Sequence, residues 1–244
     1  MDFALEKHTI DIIIDELAKR GIKEEFLEVG CGDGFNLEEL SRTGFIGTGI
    51  DISRQAIDAA RKRNLMNIEL ICGDFQDYAN RQFSLVLLLN TLEHIDKQSL
   101  FIKGIHSVLK TDGICIISVP ANTKAYGFAD FRAGHYRRYD RTDISSLIEN
   151  NGLSIERIIS IGFPVGNIYT WMYNFLSTIL YGKPKFESQS NDYIGIEGRN
   201  SHLSFPFNYF SSLAYHFLYY FLKIDRGFRS SDLGYSYIIF AKKV

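Results

Sequence analysis

The residues of this chain best equipped for chemistry are a glycine loop and a set of acids, each following a short apolar run. Phe26-Leu27-Glu28-Val29 leads into Gly30-Cys31-Gly32-Asp33-Gly34, a G-x-G-x-G string. Glycines there let the backbone approach a ligand that side chains would obstruct. Phe35 stands where a dinucleotide fingerprint requires its third glycine. Asp51 lies 21 residues after Gly30, the place from which a carboxylate accepts both hydroxyls of a ribose. Gly73-Asp74-Phe75 offers a carboxylate to an exocyclic amine of adenine and a ring to cover its face. Ribose and adenine recognition without a third glycine or a phosphate-loop lysine implies an adenosine ligand that lacks a pyrophosphate.

The elements that must position these groups follow from periodicity. Ile10, Ile13, Ile14 and Leu17 recur at helical spacing between about Phe3 and Lys19, and Gly21 supplies a stop. Mixed charges in that stripe argue for a helix rather than a signal peptide. Strands are expected at 26–29, 45–50, 68–71, 83–89 and 114–119, the last stopped by Pro120. Helices or helix-length segments separate them, including one N-capped by Ser53 and running to Asn64, and one over 96–109 that ends in a Lys110–Gly113 turn. The near-continuous apolar run of 83–89 suits a central parallel strand covered on both faces. After a polar and aromatic loop over 121–140 come a short helix over 142–150, a strand over 153–161 and a last strand over 235–241. The expected fold is therefore α/β: an open, doubly wound, mostly parallel seven-stranded sheet with an antiparallel last strand.

At these residues the chain resembles the class I S-adenosylmethionine-dependent methyltransferases. Leu27–Gly34 resembles their first motif, Asp51 the ribose acid, Gly73-Asp74-Phe75 the adenine motif, and Asn90-Thr91-Leu92-Glu93-His94-Ile95 the segment after strand four. Leu109-Lys110-Thr111-Asp112-Gly113 resembles their L-K-P-G-G turn, with Thr111 for proline and Asp112 for the first glycine. The resemblance covers about residues 20–161 and the final strand. It implies S-adenosylmethionine as cofactor, with Glu28 and the backbone of Gly30, Cys31, Gly32, Asp33 and Gly34 at the methionine end, Ile52 on adenine and Asn90 near the amino-acid moiety. Cys31 is expected to be a small loop residue with no catalytic part.

Methyl transfer from a sulfonium is an in-line displacement, so catalysis consists largely of positioning and water exclusion. A hydroxyl or ammonium acceptor must also lose a proton, and histidine suits that task. His94, after the fourth strand, and His135, in the loop after the fifth, are the candidate bases; the alternative for His94 is a histidine shaping the cofactor pocket. Gly134-His135-Tyr136-Arg137-Arg138-Tyr139 resembles the G-H-x-R-R-Y segment of a methyltransferase subgroup with members in glycan and natural-product pathways. Tyr136, Arg137, Arg138 and Tyr139 are candidate acceptor contacts, with the arginines as a clamp for phosphate or carboxylate. The alternative is that the arginines pair with Asp140 or Asp143 and pin the loop. No His, Cys or Asp spacing argues for a metal.

Composition sets the outer bounds. The 244 residues carry a formal net charge of −2, which gives no reason to expect a nucleic-acid partner. Three widely spaced cysteines suit reduced thiols in a cytoplasm. Half of the 34 aromatics lie within residues 158–222, together with only six of the 56 charged side chains. Interrupting prolines, glycines and asparagines, and the need for the two flanking strands to pair, argue against a membrane-spanning hairpin. The domain division expected is thus 1–162 with 233–244 for the cofactor domain, and 163–232 for an aromatic-rich helical insertion. Three readings of the insertion stay open: a cap over the active site, a homodimer surface, or a peripheral membrane contact, with Asp192–Asn200 as an exposed loop. The function expected is methyl transfer to a small-molecule, sugar or lipid-linked acceptor at oxygen. The alternatives are a non-catalytic cofactor-binding module and a nicotinamide oxidoreductase, the latter opposed by Phe35.

Overall fold

In the computed structural model, which describes residues 2–78, 80–182 and 219–244, the elements alternate as the apolar pattern demands. In chain order they are α1 (Asp2–Lys19), β1 (Phe26–Val29), α2 (Phe35–Arg42), β2 (Gly47–Asp51), α3 (Arg54–Ala60), β3 (Ile68–Cys72), β4 (Phe83–Leu89), α4 (Gln98–Val108), β5 (Leu109–Pro120), α5 (Phe128–Ala133), α6 (Arg141–Glu149), β6 (Leu153–Ile161), α7 (Val165–Tyr181) and β7 (Ser236–Lys243). The sheet order is β3-β2-β1-β4-β5-β7-β6. Only β7 runs against its neighbours. Strand order reverses between β1 and β4, which opens a crevice at their carboxyl ends, where open α/β sheets bind ligands.

Side-chain alternation along the central strands builds two separate apolar layers. Val86 and Leu88 of β4 join Ile102 and Ile105 of α4 and Ile144 and Ile148 of α6 on one face. Leu85, Leu87 and Leu89 join Ile10, Ile13 and Leu17 of α1 and Leu37 and Leu40 of α2 on the other. β7 splits in the same way, with Tyr237 and Ile239 on the first face and Ile238 and Phe240 on the second. Burying each such side chain contributes on the order of 1.5–3 kcal/mol.

Several element boundaries differ from the periodicity reading for local reasons. Ser53 does cap α3, its Oγ accepting from the Ala56 N–H, but the helix ends at Ala60. There the chain tightens into bonds from Lys62 N–H to Ala59 O and from Arg63 N–H to Ala60 O. Phe45 is buried ahead of β2 rather than within it. The expected Lys110–Gly113 turn is absorbed into β5 as a bulge: Phe83 pairs with Leu109, Leu85 with Ile114, and Asp112 takes φ 64°. The loop after β5 contains the short helix α5.

Of the expected insertion, α7 and the stretch from Tyr219 onward are described; the expected Asp192–Asn200 loop lies outside the described residues. The returning stretch is anchored at a buried carboxylate. Asp225 Oδ2 meets His8 Nε2 at 2.7 Å and accepts from the Gly162 N–H at 3.0 Å, while Arg229 Nε donates to Oδ1 at 3.2 Å. Among the described residues, no helix is long and apolar enough to cross a membrane. All three cysteines are free thiols, with Cys31 and Cys115 buried.

Leu87→Ala empties a fully buried position at the middle of the sheet and is expected to lower the unfolding free energy by about 2–5 kcal/mol. A urea titration checks this as a lower midpoint with an unchanged m-value.

Candidate cofactor and acceptor site

The loop after β1 is built for close approach. Gly30, Gly32 and Gly34 all take positive φ, at 75°, 55° and 77°, conformations that L side chains rarely adopt. A Cβ on Gly30 would lie 2.6 Å from Thr91 Oγ1, and one on Gly34 would lie 2.9 Å from Ala60 Cβ; one on Gly32 or Gly73 would meet nothing within 4 Å. The loop is thus tight against the protein at Gly30 and Gly34 and open at Gly32, and the turn after β3 is open at Gly73. Asp51 closes it from the side, accepting from the Gly32 N–H through Oδ2 at 2.9 Å and from the Ser53 N–H through Oδ1 at 2.8 Å.

Glu28 sits beneath this loop, fully buried. Its Oε1 accepts from Asn36 Nδ2 at 3.0 Å, and its Oε2 has no hydrogen-bond partner. Burial pushes its carboxyl up to about 8, against which the Asn36 hydrogen bond acts only in part. Ile52 is 63% exposed beside Asp51, an apolar surface on the ligand side of β2. An orphaned buried carboxylate oxygen, open glycine positions and an exposed isoleucine fit the methionine, ribose and adenine parts of the expected cofactor.

On the acceptor side, a 3₁₀ turn over Leu92–His94 follows β4 and meets the loop after β5. Tyr136 N–H donates to Glu93 O at 2.9 Å. The rings of His94 and His135 meet edge to face at 4.9 Å between centroids. His135 Nδ1 lies 2.9 Å from Asp130 Oδ1, and its Nε2 lies 3.8 Å from Glu93 Oε1. Glu93 is fully buried, with neither carboxylate oxygen hydrogen-bonded; burial pushes its carboxyl up to about 7, with the nearby His135 acting the other way. Asp130 is the hub of this loop, since it also accepts from Arg138 Nε at 2.8 Å and from the Gly127 N–H at 3.0 Å. Burial opposes its charge, yet the His135 hydrogen bond and the Arg138 guanidinium hold its carboxyl below the usual range.

The structure brings Glu28, the glycine loop, Asp51 and Ile52 together, and separately His94 and His135. The other candidates make contacts of their own. Phe75 is 3% exposed and packs edge to face on Phe101, so it is a core side chain rather than a cover for a ring. Asp74 is exposed, and its Oδ1 accepts from the Gln76 N–H. Asp33 turns outward to Arg63, whose Nη2 reaches Oδ2 at 2.7 Å while its Nε donates to Asp33 O at 2.6 Å. Asn90 takes φ 52° and accepts through Oδ1 from Ser118 Oγ. Cys31 is buried, with its thiol pushed up by burial.

The two adjacent arginines do not form one clamp. Arg138 is 4% exposed, bound to Asp130 and to Ala121 O and stacked over Tyr235, whereas Arg137 is half exposed with Asp96 at 3.9 Å. Neither of these partners is the expected Asp140, which instead holds Thr123. Tyr139 is buried with its hydroxyl against Gln98, leaving Tyr136 and Arg137 as the outward-facing members of the segment. Glu93 and Asp130 were missed by sequence reasoning. An acid immediately before His94 and another five residues before His135 were the available signals.

A seven-stranded sheet of this order, with a glycine loop at its switch point and an acid ending β2, defines a Rossmann-like methyltransferase domain of class I. The chain belongs to the methyltransferase domain family, whose sequence profile matches residues 5–158. Relatives include the ubiquinone biosynthesis O-methyltransferase of Bartonella tribocorum, 29% identical over 121 residues that cover 47% of this chain and 49% of that protein. The protein of the same name from Coxiella burnetii is 32% identical over 106 residues, covering 41% of this chain and 45% of that one. The chain spans about half the length of these relatives or less. Among solved structures, magnesium protoporphyrin IX methyltransferase from Synechocystis with bound SAH shares the fold at a TM-score of 0.58 and 15% identity, over 98% of this chain and 84% of that one.

A carboxyl raised from 4.5 to about 8 by folding keeps a proton that the unfolded chain releases, so its contribution to stability falls as pH rises through that window. Glu28→Gln is expected to flatten the decline in Tm of the cofactor-free domain between about pH 5 and pH 8, measured by scanning calorimetry. A slope equal to wild type would contradict the buried, orphaned placement of Glu28.

Proposed function

We propose that this domain transfers the methyl group of S-adenosylmethionine to a hydroxyl oxygen of a small-molecule, sugar or lipid-linked acceptor. One observation carries the reading: the Glu28 carboxylate lies buried beneath the glycine loop with Oε2 unmatched. A buried anion without a partner is costly, and the cationic methionine end of the cofactor is its fitting counter-charge. Each oxygen of Asp51 spends one lone pair on a backbone N–H and keeps another for a ribose hydroxyl. Ile52 offers its exposed face to the adenine. The relatives' O-methylation in ubiquinone biosynthesis supports oxygen as the acceptor atom.

The bound cofactor supplies a methyl group on a sulfonium that leaves as a neutral thioether. The acceptor oxygen gains the carbon, the carbon–sulfur pair stays with sulfur, and the hydroxyl proton leaves through the Glu93, His94 and His135 cluster. Tyr136 and Arg137 face outward beside that cluster and are the acceptor contacts of the Gly134–Tyr139 segment. The described helix of the insertion, α7, acts as a cap. α7 packs on α5 through Asn174 Oδ1, which accepts from the Ala129 N–H at 2.9 Å, and through a Phe128–Tyr181 stack, so it braces the loop that carries Asp130 and His135. Its far face bears Trp171, 66% exposed and stacked on Phe175, which supports contact with a lipid-linked acceptor.

Isothermal calorimetry with S-adenosylmethionine and S-adenosylhomocysteine tests the cofactor half. Wild type is expected to bind both, and Asp51→Ala to lose at least about tenfold in affinity, the loss of about 1.4 kcal/mol; no binding to wild type overturns the reading. Methyl-labelled cofactor offered with catechols, prenylated phenols and sugars tests the transfer half. Label on oxygen is expected, and transfer to no acceptor by a protein that binds the cofactor makes it a binding module instead.

A further inference from the structure

Three cations share one cleft beside the acceptor segment, and a single acid faces them. The cleft, of about 560 Å³, lies between the start of α4 and α6, and its walls include Lys97, Lys103 and Arg137 together with Asp96, Leu100 and Leu147. We propose that it binds a phosphoryl group carried by the methyl acceptor, with an apolar part of that molecule against the two leucines. The proposal deepens the methyltransferase reading above and rests on it for the identity of the molecule that carries the phosphate.

The three cations are available. The Lys97 and Lys103 ammonium groups are exposed, and neither forms a hydrogen bond or ion pair with another of the described residues. Arg137 is half-buried, and its Nε is cut off from water without a hydrogen-bond partner. Its Nη2 lies 3.9 Å from Asp96 Oδ1, past hydrogen-bonding distance. Asp96 is itself 75% exposed, so water screens the attraction it offers. The Nε–Nη2 edge of a guanidinium matches two oxygens of a phosphate, and on Arg137 that edge has no acceptor among the described residues. The polar groups elsewhere in the wall are spent on structure: Gln98 Nε2 donates to Leu92 O, and Ser99 Oγ to Asn151 Oδ1.

The start of α4 adds to the positive charge instead of offsetting it. The position before a helix favours Ser, Thr, Asp or Asn, whose oxygen accepts from the first free N–H groups. Lys97 stands there and makes no such bond, and its charge lies at the positive end of the helix dipole. Like charges gathered in this way work against folding, and an anion turns each repulsion into an attraction. A phosphomonoester brings a charge of about −1.5 to −2 at neutral pH; a carboxylate brings half as much or little more. Lys97 follows His94 by three residues and Arg137 follows His135 by two, and the bond from Tyr136 N–H to Glu93 O joins the two segments. An acceptor anchored in the cleft is therefore held next to the segments that carry the proposed proton acceptors.

The test uses the full chain and isothermal calorimetry with inorganic phosphate, glucose 1-phosphate and geranyl phosphate, each without cofactor. Saturable binding of one equivalent of inorganic phosphate is expected, weakening as salt rises. Its affinity is expected to fall by at least about fivefold in each of Lys97→Gln, Lys103→Gln and Arg137→Gln, and to stay unchanged in Lys23→Gln, which lies outside the cleft. Circular dichroism reports folding, and if Arg137→Gln does not fold, the two exposed lysines decide. No saturation, or an equal loss in Lys23→Gln, overturns the site. Binding of glucose 1-phosphate or geranyl phosphate at least about tenfold tighter than that of inorganic phosphate is expected and assigns a sugar or a lipid as the carrier; no gain with either overturns the assignment of the phosphoryl group to the acceptor. A wild type that binds S-adenosylmethionine but no phosphate leaves the methyltransferase reading standing without this site, and one that binds phosphate but no S-adenosylmethionine overturns that reading instead.

Discussion

Two carboxylates are held out of water at neighbouring strand ends, and the rest of the site is arranged around them. Glu28 lies in β1 and Glu93 in the turn after β4, the two strands between which the sheet order reverses. Glu28 has one hydrogen bond, from a neutral amide; Glu93 has none, with His135 Nε2 at 3.8 Å. Burying ionisable groups with so few partners works against folding, since their charged forms are costly there. The two carboxyls, at about 8 and about 7, express the same strain in protonic terms.

The scaffold tolerates that strain because its core is independent of the crevice. Two apolar layers, supplied by alternate residues of β4, β5 and β7, clamp the sheet on both faces. The loop between them is then fixed from outside rather than from within the site. Arg63 ties Asp33 to Glu38 across the end of α3, which keeps the glycine loop in shape without taking any ligand-facing surface. Asp130 does the equivalent work on the other side, joining His135, Arg138 and the start of α5 in one buried network whose members each have a defined partner.

Much of this was legible in the chain. β1 and β4 have the bounds that their apolar runs indicate, because buried parallel strands leave a continuous signature. The glycine loop and Asp51 were legible because their task restricts residue type and spacing together. What could not be read was the direction of each side chain in an irregular loop. Arg137 and Arg138 look alike in sequence, yet one is half exposed and the other is sealed under Tyr235. Phe75 sits in the right motif but its ring turns into the core against Phe101. Glu93 hid in plain view beside His94, since only the fold brings the loop after β5 back to it.

The antiparallel pairing of β7 with β5 and β6 divides the molecule's tasks along the chain. Among the described residues, Asp51, Ala60, Arg63 and Thr91, which meet the glycine loop, come from the β1-to-β4 half, whereas the loop after β5, α7 and the stretch from Tyr219 lie between the three remaining strands; the turn carrying Glu93 and His94 joins the two halves. Changes confined to the later half would leave the packing around the glycine loop undisturbed.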